Sequence, residues 1–489
     1  MLTAMNNLIE MFEYQANQRP NDLFCVDTSG KYTYQDAKKV IERVASSLIK
    51  KEIKNEPILI FSERNSITLF TMLAILMSNN YFIPVNPEYS EEKVQAILSS
   101  SQVHYQIRLN ETSKISSLNS FLFDDLANDN LDENVLKQVR EEYKIDSPIY
   151  AIYTSGSTGK PKGVLKTHKN MMAFVNNFQE TFALEDGLHI ASQAPLFFDA
   201  SMKDVFLTLK TGATLYFPDK SLFAMPLGLV DYLNENQIQY ICWVPSALTI
   251  MARLKVFKYA LPQYLKYVMF VGEVFMPKYF NYWFTYLPHI QYVNLYGSTE
   301  LAGVCLYKRI ESLLDESKPI PLGVPLKNNQ VFLDEEGEIT VISDQIAAGY
   351  INDEAKNKEV FIKKDNQVVL KTGDFAYQNE EGDIVFMSRK DYQIKHMGYR
   401  IELQEIDVAV SSLKYIDLCA TLYQKETDKI VVFVSLNQSV ENINKTLLND
   451  LKEIVPAYML PSRIQVLDAL PLNPNGKIDR VKLKEMLGE

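Results

Sequence analysis

The sequence has few of the residues that build metal clusters or disulfide frameworks. Its 489 residues include only four cysteines, Cys25, Cys242, Cys305 and Cys419, and no two of them form a Cys-x-x-Cys pair. This spacing gives no zinc site, and so few thiols suit a reducing compartment. The N-terminus shows no signal peptide. We therefore expect a cytoplasmic protein.

An excess of positive charge and long apolar runs are also missing. The formal net charge is −11, and no basic stripe is visible, which argues against a nucleic-acid partner. The longest apolar stretch, residues 67–77, is too short to span a bilayer. We therefore expect neither nucleic-acid binding nor a membrane span.

The chain is long and apolar enough for two or three domains, with 47% hydrophobic residues. Strand-like and helix-like segments alternate along its first part, which predicts an α/β fold with mostly parallel sheets covered by helices. Expected strands cover residues 31–34, 57–61, 81–85 and 149–153, and expected helices cover residues 35–51 and 66–77.

Composition shifts near residue 390, where the polar run Ser388-Arg389-Lys390-Asp391 could be a linker. We therefore predict an N-terminal domain over residues 1–390 and a small α+β domain over residues 391–489. In the second domain, helices are expected at 402–413 and 443–454, with a strong strand at 430–434.

A loop rich in glycine, hydroxyl groups and lysine follows the strand at 149–153. Its sequence from Thr154 is Thr-Ser-Gly-Ser-Thr-Gly-Lys-Pro-Lys-Gly. Glycines let backbone N–H groups wrap an anion, and hydroxyls and lysines add donors and charge. It is not the common phosphate loop, because only two residues separate Gly156 from Gly159 and Pro161 follows Gly-Lys. The alternative is a flexible Gly/Ser linker.

Three later segments have polar residues suited to a nucleotide or a metal ion. They are Asn294-Leu-Tyr-Gly-Ser-Thr-Glu300, Lys371-Thr-Gly-Asp374 and Asn473-Pro-Asn-Gly-Lys477. Glu300 could hold a hard cation such as Mg²⁺, and Asp374 could accept from a ribose diol. Taken singly, each also suits an ordinary turn, the last one a hairpin tip with a solvated lysine.

Together and in this order, the four segments resemble the adenylate-forming superfamily. That group includes nonribosomal-peptide adenylation domains, D-alanine–carrier-protein ligases, acyl-CoA synthetases and luciferases. The resemblance extends from Tyr32-Thr33-Tyr34 to Lys477. It implies a large N-terminal domain of α/β subdomains with a small β-barrel-like part, and a mobile C-terminal lid domain that carries a catalytic lysine.

The resemblance also implies ATP and Mg²⁺ as cofactors and assigns residues to them. Thr154, Glu300 and Lys477 would be catalytic, with Glu300 as the magnesium ligand. Lys477 would offset the repulsion between substrate carboxylate and α-phosphate, and Asp391 would be the hinge. The nucleotide-binding residues would be Thr154, Ser155, Gly156, Ser157, Thr158, Gly159, Lys160, Lys162, Gly272, Glu273, Asn294, Tyr296, Gly297, Ser298, Thr299, Asp374, Arg389 and Lys477.

The segment Phe197-Phe198-Asp199-Ala200 resembles the acyl-pocket stretch of amino-acid-activating members. Asp199 falls where those members place an aspartate against the substrate α-ammonium; the alternative role is a helix N-cap. The substrate-binding residues would be Phe198, Asp199, Ala200, Lys203, Cys242, Met269, Val271, Leu295, Gly303 and Val304.

Lys203 is unusual in this otherwise small or apolar pocket. It could pair with an acidic substrate side chain, or instead with Asp204 or solvent. D-alanine–carrier-protein ligases usually have cysteine where Val271 stands. Both departures argue against D-alanine as the substrate.

The resemblance implies an AMP-forming ligase that activates an amino acid and releases pyrophosphate. The sequence shows no Gly-x-x-Ser carrier module after Lys477. We therefore expect transfer to the phosphopantetheine thiol of a separate acyl or peptidyl carrier protein. The alternatives are an acyl- or aryl-CoA ligase and a non-catalytic binding module with the same fold.

Overall fold

The computed structural model describes residues 5, 7–111, 115–154, 161–316, 318–365, 367–389, 393–471 and 478–488. For residues 388, 389, 393, 404, 408 and 481 it describes the backbone alone. Some predicted site residues lie outside this description. They are Ser155, Gly156, Ser157, Thr158, Gly159, Lys160, Asp391, Lys477 and the side chain of Arg389.

Strands and helices alternate through most of the described chain. The strands are β1 (Leu23–Asp27), β2 (Gly30–Thr33), β3 (Pro57–Phe61), β4 (Tyr81–Val85), β5 (Tyr105–Arg108), β6 (Asn119–Leu122), β7 (Pro148–Thr154), β8 (Lys162–Thr167), β9 (His189–Ala191), β10 (Thr214–Tyr216), β11 (Tyr240–Trp243), β12 (Tyr267–Val271), β13 (Gln291–Tyr296), β14 (Leu306–Ile310), β15 (Val324–Pro325), β16 (Gln330–Leu333), β17 (Glu338–Ile342), β18 (Gly349–Tyr350), β19 (Phe361–Lys364), β20 (Gln367–Gln378), β21 (Ile384–Arg389), β22 (Gln393–His396), β23 (Tyr399–Glu402), β24 (Ile416–Gln424), β25 (Lys429–Leu436) and β26 (Arg463–Val466). The helices are α1 (Leu8–Gln18), α2 (Tyr34–Lys50), α3 (Ser66–Met77), α4 (Glu91–Ser101), α5 (Phe123–Ala127), α6 (Glu133–Arg140), α7 (His168–Phe182), α8 (Asp199–Thr211), α9 (Pro226–Glu235), α10 (Pro245–Arg253), α11 (Pro277–Tyr286), α12 (Glu354–Val360), α13 (Leu403–Ser411), α14 (Ile443–Lys452) and α15 (Arg480–Glu485).

Two large sheets contain most of these strands. The nine-stranded sheet has the order β15-β14-β13-β12-β11-β9-β10-β1-β2, and its inner strands from β13 to β1 are parallel. The seven-stranded sheet has the order β18-β8-β7-β4-β3-β5-β6, with parallel pairing from β7 through β6. The predicted α/β class with mostly parallel sheets is confirmed.

The expected β-barrel-like part corresponds to a five-stranded sheet. Its order is β16-β17-β20-β19, with β21 on the side of β20. The β16–β17, β17–β20 and β19–β20 pairs are antiparallel. Within the described residues no strand pairing closes this sheet into a barrel. Ile339 and Val341 of β17 and Leu370 of β20 belong to a buried cluster that is separate from the other apolar clusters.

The early elements show how local sequence fixes element ends. Helix α2 begins one residue earlier than predicted, because Thr33 and Asp36 form a capping box. Helix α3 has its predicted bounds and begins at its N-cap Asn65, whose side chain accepts from the N–H of Thr68. All but one of its residues are buried, so its mostly apolar surface is explained by a position inside the core. In the described parts of the chain, no helix is long and apolar enough to cross a bilayer.

The chain divides into two compact units. The first comprises Met1–Pro87, Leu98–Tyr153 and Gly163–Ser388, and the second comprises Glu88–Ile97, Thr154–Lys162 and Arg389–Glu489. In the second unit, β24, β25 and β26 form a small sheet whose buried face packs with α13 and α14. The predicted boundary between contiguous domains 1–390 and 391–489 stays a prediction.

Candidate active site

Asp199 lies at the start of α8, where the chain enters the helix after an extended turn. It is the first helical residue, and the N-cap position is occupied by Phe198, which makes no side-chain capping bond. The alternative N-cap role of Asp199 is therefore wrong. Its Oδ1 accepts a hydrogen bond of 2.8 Å from the hydroxyl of Tyr150, and its side chain is 13% exposed. This leaves a carboxylate largely removed from water but held in place by a neutral donor.

A buried lysine that the sequence prediction missed lies beside this carboxylate. Lys166 belongs to β8 and is 0% exposed, with its Nζ 4.0 Å from Asp199 Oδ1. No described residue accepts a hydrogen bond from this ammonium. Burial lowers the pKa of Lys166, while the charges of Asp199 and Glu300 raise it. The only sequence signal was a lysine directly after the apolar pair Val164-Leu165 of this strand.

The predicted pocket residues meet at the carboxyl ends of three adjacent parallel strands. Cys242 of β11 is in register with Met269 of β12, and Val271 of β12 with Leu295 of β13. These four residues and Val304 belong to one buried apolar cluster. The structure therefore places residues from three separate stretches of the sequence, 242, 269–271 and 295–304, in one buried cluster. Ala200 follows Asp199 in α8 and is partly buried.

Lys203 forms an internal ion pair. Its Nζ donates to Asp204 Oδ1 over 2.8 Å and to the carbonyl of Cys242 over 3.0 Å. Asp204 also accepts from the hydroxyl of Ser192, and both charged side chains are at most 4% exposed. The structure thus shows the internal pair with Asp204. A preference for an acidic substrate side chain no longer follows from Lys203, since its charge is already compensated.

Two predicted nucleotide-binding residues contact each other directly. Tyr296, at the end of β13, donates its hydroxyl to Asp374 Oδ2 of β20 over 2.5 Å. Both residues are buried, and burial raises the pKa of Tyr296 well above its usual value. Asn294 lies two residues earlier and donates from Nδ2 to the carbonyl of Pro321. The tyrosine hydroxyl therefore fixes the orientation of the carboxylate that is expected to face a ribose.

Glu300, the expected magnesium ligand, is only 3% exposed. Its Oε1 accepts a hydrogen bond of 2.7 Å from the hydroxyl of Tyr350, a residue of β18 that the sequence did not single out. Backbone contacts hold the same segment, because the N–H of Ala347 donates to the carbonyl of Glu300. A carboxylate with one oxygen fixed in this way suits a hard cation.

The turn between Tyr296 and Val304 depends on two glycines that touch. A Cβ on Gly297 would lie 2.3 Å from the carbonyl oxygen of Gly303. Gly303 has φ of +67°, and a Cβ there would collide with Phe174.

The hydroxyl of Ser298 in this turn is buried and has no partner among the described residues. An unpaired buried hydroxyl is costly, so a bound ligand that accepts its hydrogen bond would stabilise the turn.

The remaining predicted nucleotide residues take ordinary local roles. Glu273 Oε2 accepts from the N–H of Ser246, and Gly272 has φ of +102°. Thr299 lies in the turn before Glu300. Thr154 ends β7, and Lys162 begins β8.

Known proteins share sequence and fold with this chain. The family model described as AMP-binding enzyme matches residues 12–351. The chain is 28% identical to tyrocidine synthase 1 of Brevibacillus parabrevis over 97% of its own length but 44% of that protein. It is also 28% identical to the D-alanine–D-alanyl carrier protein ligase of Bacillus mycoides, covering 97% of this chain and 98% of the relative.

Solved structures of low sequence identity share the fold. The Vibrio cholerae adenylation domain AlmE, solved with glycyl-adenosine-5′-phosphate, has a TM-score of 0.83 at 18% identity and covers 99% of this chain and 98% of that chain. The o-succinylbenzoate CoA synthetase of Bacillus subtilis also has a TM-score of 0.83 at 18% identity, with 98% of both chains covered. Since the family model matches well over half of the sequence, the chain belongs to the AMP-binding enzyme family.

Proposed function

We propose that the protein uses ATP to activate an amino acid as an aminoacyl-adenylate, with release of pyrophosphate. It then transfers the aminoacyl group to the phosphopantetheine thiol of a separate carrier protein: the thioester bond forms, the acyl–phosphate bond breaks and AMP is released. The observation that carries the proposal is Asp199, a carboxylate held by the hydroxyl of Tyr150. Tyr150 belongs to the same buried apolar cluster as Cys242, Met269 and Leu295. A shielded carboxylate beside an apolar pocket suits the ammonium group of a small or apolar amino acid.

Relatives support both halves of this reaction. D-alanine–D-alanyl carrier protein ligases match along nearly their whole length, and their name contains both an amino acid and a carrier protein. Tyrocidine synthase 1 is more than twice as long as the matched region, so its complete activity is not transferred to this chain. Which amino acid is used does not follow from either similarity, and a cytoplasmic location stays a prediction.

The described residues fit ATP and Mg²⁺. Asp374 could accept from ribose hydroxyls, and the orphaned hydroxyl of Ser298 could donate to a nucleotide oxygen. Glu300 offers a carboxylate of the kind that Mg²⁺ prefers, and the ion would supply charge neutralisation at the phosphates when bound. Lys162 and Thr154 flank the loop at 155–160, whose phosphate role remains a prediction.

The chain contributes positioning and charge to the reaction. A substrate carboxylate oxygen forms a bond to the α-phosphorus, and the bond from that phosphorus to the pyrophosphate oxygen breaks. Asp199 would hold the ammonium end so that the carboxylate is presented in one orientation. Lys477 is predicted to offset the charge on the phosphoryl oxygens during attack. No protein nucleophile is needed for this step.

Amino-acid-dependent exchange of labelled pyrophosphate into ATP tests the activation half. We expect exchange with at least one member of a panel of L-amino acids, D-alanine and β-amino acids, and loss of it in Asp199→Ala. Exchange supported only by aryl or fatty acids would contradict the proposal. Transfer is tested with a phosphopantetheinylated carrier protein against free coenzyme A, and faster loading of coenzyme A would favour the acyl-CoA ligase alternative.

A further inference from the structure

The buried ammonium of Lys166 lies near two carboxylates that belong to different parts of the site. Its Nζ is 4.0 Å from Asp199 Oδ1, and the charge of Glu300 also acts on it. Asp199 is the residue proposed for substrate, and Glu300 is the residue expected for Mg²⁺. Among the described residues no acceptor satisfies this ammonium, and its side chain is completely buried.

A fully buried lysine in this position destabilises the folded protein. Burying an ammonium whose hydrogen bonds are not satisfied costs several kcal/mol, and an apolar side chain would fill the same place in β8 without that cost. The charge of Glu300 acts on Asp199 in the opposite sense, because one carboxylate disfavours the ionised form of the other. The positive charge of Lys166 favours the ionised form of Asp199, and both carboxylates favour the ionised form of Lys166.

We propose that Lys166 is a positioning residue that keeps Asp199 ionised and oriented to receive the substrate ammonium. This inference rests on the proposed amino-acid activation. Burial raises the pKa of Asp199, whereas the charge of Lys166 and the hydrogen bond from Tyr150 lower it. Without the lysine, Asp199 would more easily take up a proton, and a neutral carboxyl group binds an ammonium poorly.

Other roles for Lys166 lead to different outcomes. If its ammonium competed with the substrate for Asp199, removing it would strengthen amino-acid binding. If it acted only on Glu300, removing it would change the Mg²⁺ requirement and leave amino-acid binding intact. If it merely supported packing, the variant would lose activity toward acids with and without an amino group alike.

The first experiment compares Lys166→Met with wild type in pyrophosphate exchange. The substrates are the amino acid that the wild type uses best and the same carboxylic acid without its amino group, for example alanine and propionate. We expect KM for the amino acid to rise roughly 10- to 100-fold, with kcat and the KM of the des-amino acid changed little. Lys166→Arg, which keeps the charge, should restore much of the amino-acid KM.

Lys169→Met is the matched control, because Lys169 lies three residues later, is half exposed and pairs with Asp344 at 3.1 Å. It should behave as wild type. An unchanged or lower amino-acid KM in Lys166→Met would overturn the proposal. So would an equal loss with both substrates, or a change confined to the Mg²⁺ concentration that gives half-maximal exchange.

A second experiment asks whether Lys166 acts through Asp199. In an Asp199→Asn background, adding Lys166→Met should alter KM by less than about twofold, since the two residues then share one effect. A further large rise would overturn the proposal. If Lys166→Met alone fails to fold, the double variant should recover folding, because it removes the charge of Asp199 that Lys166 compensated. Failure to recover would also overturn the proposal. A wild type that activates no amino acid would instead refute the proposed function itself.

Discussion

The hydroxyl of Tyr296 donates to Asp374 Oδ2 over 2.5 Å, although the two residues lie in different sheets. Tyr296 ends β13 of the nine-stranded sheet, and Asp374 belongs to β20 of the five-stranded sheet. Both are expected to bind the nucleotide, so the bond joins two parts of one site. It also gives a buried carboxylate a donor that keeps it oriented.

Removing this bond should weaken nucleotide binding selectively. In Tyr296→Phe we expect the KM for ATP to rise roughly 10-fold or more, because a hydrogen bond to a charged group contributes about 1.5–3 kcal/mol. The KM for the amino acid should change little. Tyr292→Phe is the control: its hydroxyl, in the same strand, donates to the carbonyls of Trp283 and Leu287. A rise in ATP KM of similar size in the control would contradict a specific role for Tyr296.

Glu300→Gln should change the metal requirement. The amide keeps the size of the side chain and can still accept from Tyr350, but it loses the negative charge that a divalent cation favours. We expect a higher Mg²⁺ concentration for half-maximal pyrophosphate exchange, measured at saturating ATP. The exposed Glu359 offers the matched control in Glu359→Gln. An unaltered Mg²⁺ titration in Glu300→Gln would remove Glu300 from the metal site.

The ion pair of Lys203 and Asp204 should matter for stability rather than for substrate choice. Either Lys203→Met or Asp204→Asn leaves one buried charge without its partner, which costs about 3–5 kcal/mol. The double variant should be less destabilised than the sum of the two single variants, as urea unfolding would show. The order of preference among amino-acid substrates should stay the same in the two single variants and in the double variant. A selective loss of acidic amino acids in Lys203→Met would instead support a substrate-binding lysine.

His168 should make the fold sensitive to mild acid. It is buried at the start of α7, where its Nδ1 accepts from the N–H of Leu8, and burial lowers its pKa from 6.5 to about 4. The unfolded chain therefore binds the proton more readily than the folded chain between these values. Stability is fully present above pH 6.5 and falls by about 3 kcal/mol as the pH drops to about 4.

Unfolding free energies measured across this pH range test the prediction. His168→Gln should flatten this part of the pH dependence, while His104→Gln, at an exposed position, should keep it. An equal slope in wild type and His168→Gln would show that other groups control the acid response.

Local sequence was enough for many elements. The bounds of β3, α3 and β4 match the predicted residues, because short apolar runs end at polar capping or turn residues. Helices α13 and α14 end two residues earlier than predicted, at Ser411 and Lys452. Helix ends on a partly exposed surface depend on packing as well as on sequence, so such shifts are expected.

For the site, the sequence by itself determined the family and the candidate residues, since its motifs retain their order and their chemistry along the chain. Only the tertiary structure decided which charges meet. Lys203 pairs with its neighbour Asp204, while Lys166, unnoticed in a strand, lies beside Asp199. The reason is that charge compensation in a buried site depends on distances across strands and helices. Those distances are set by how the sheet and α8 pack, and residue order alone does not contain them.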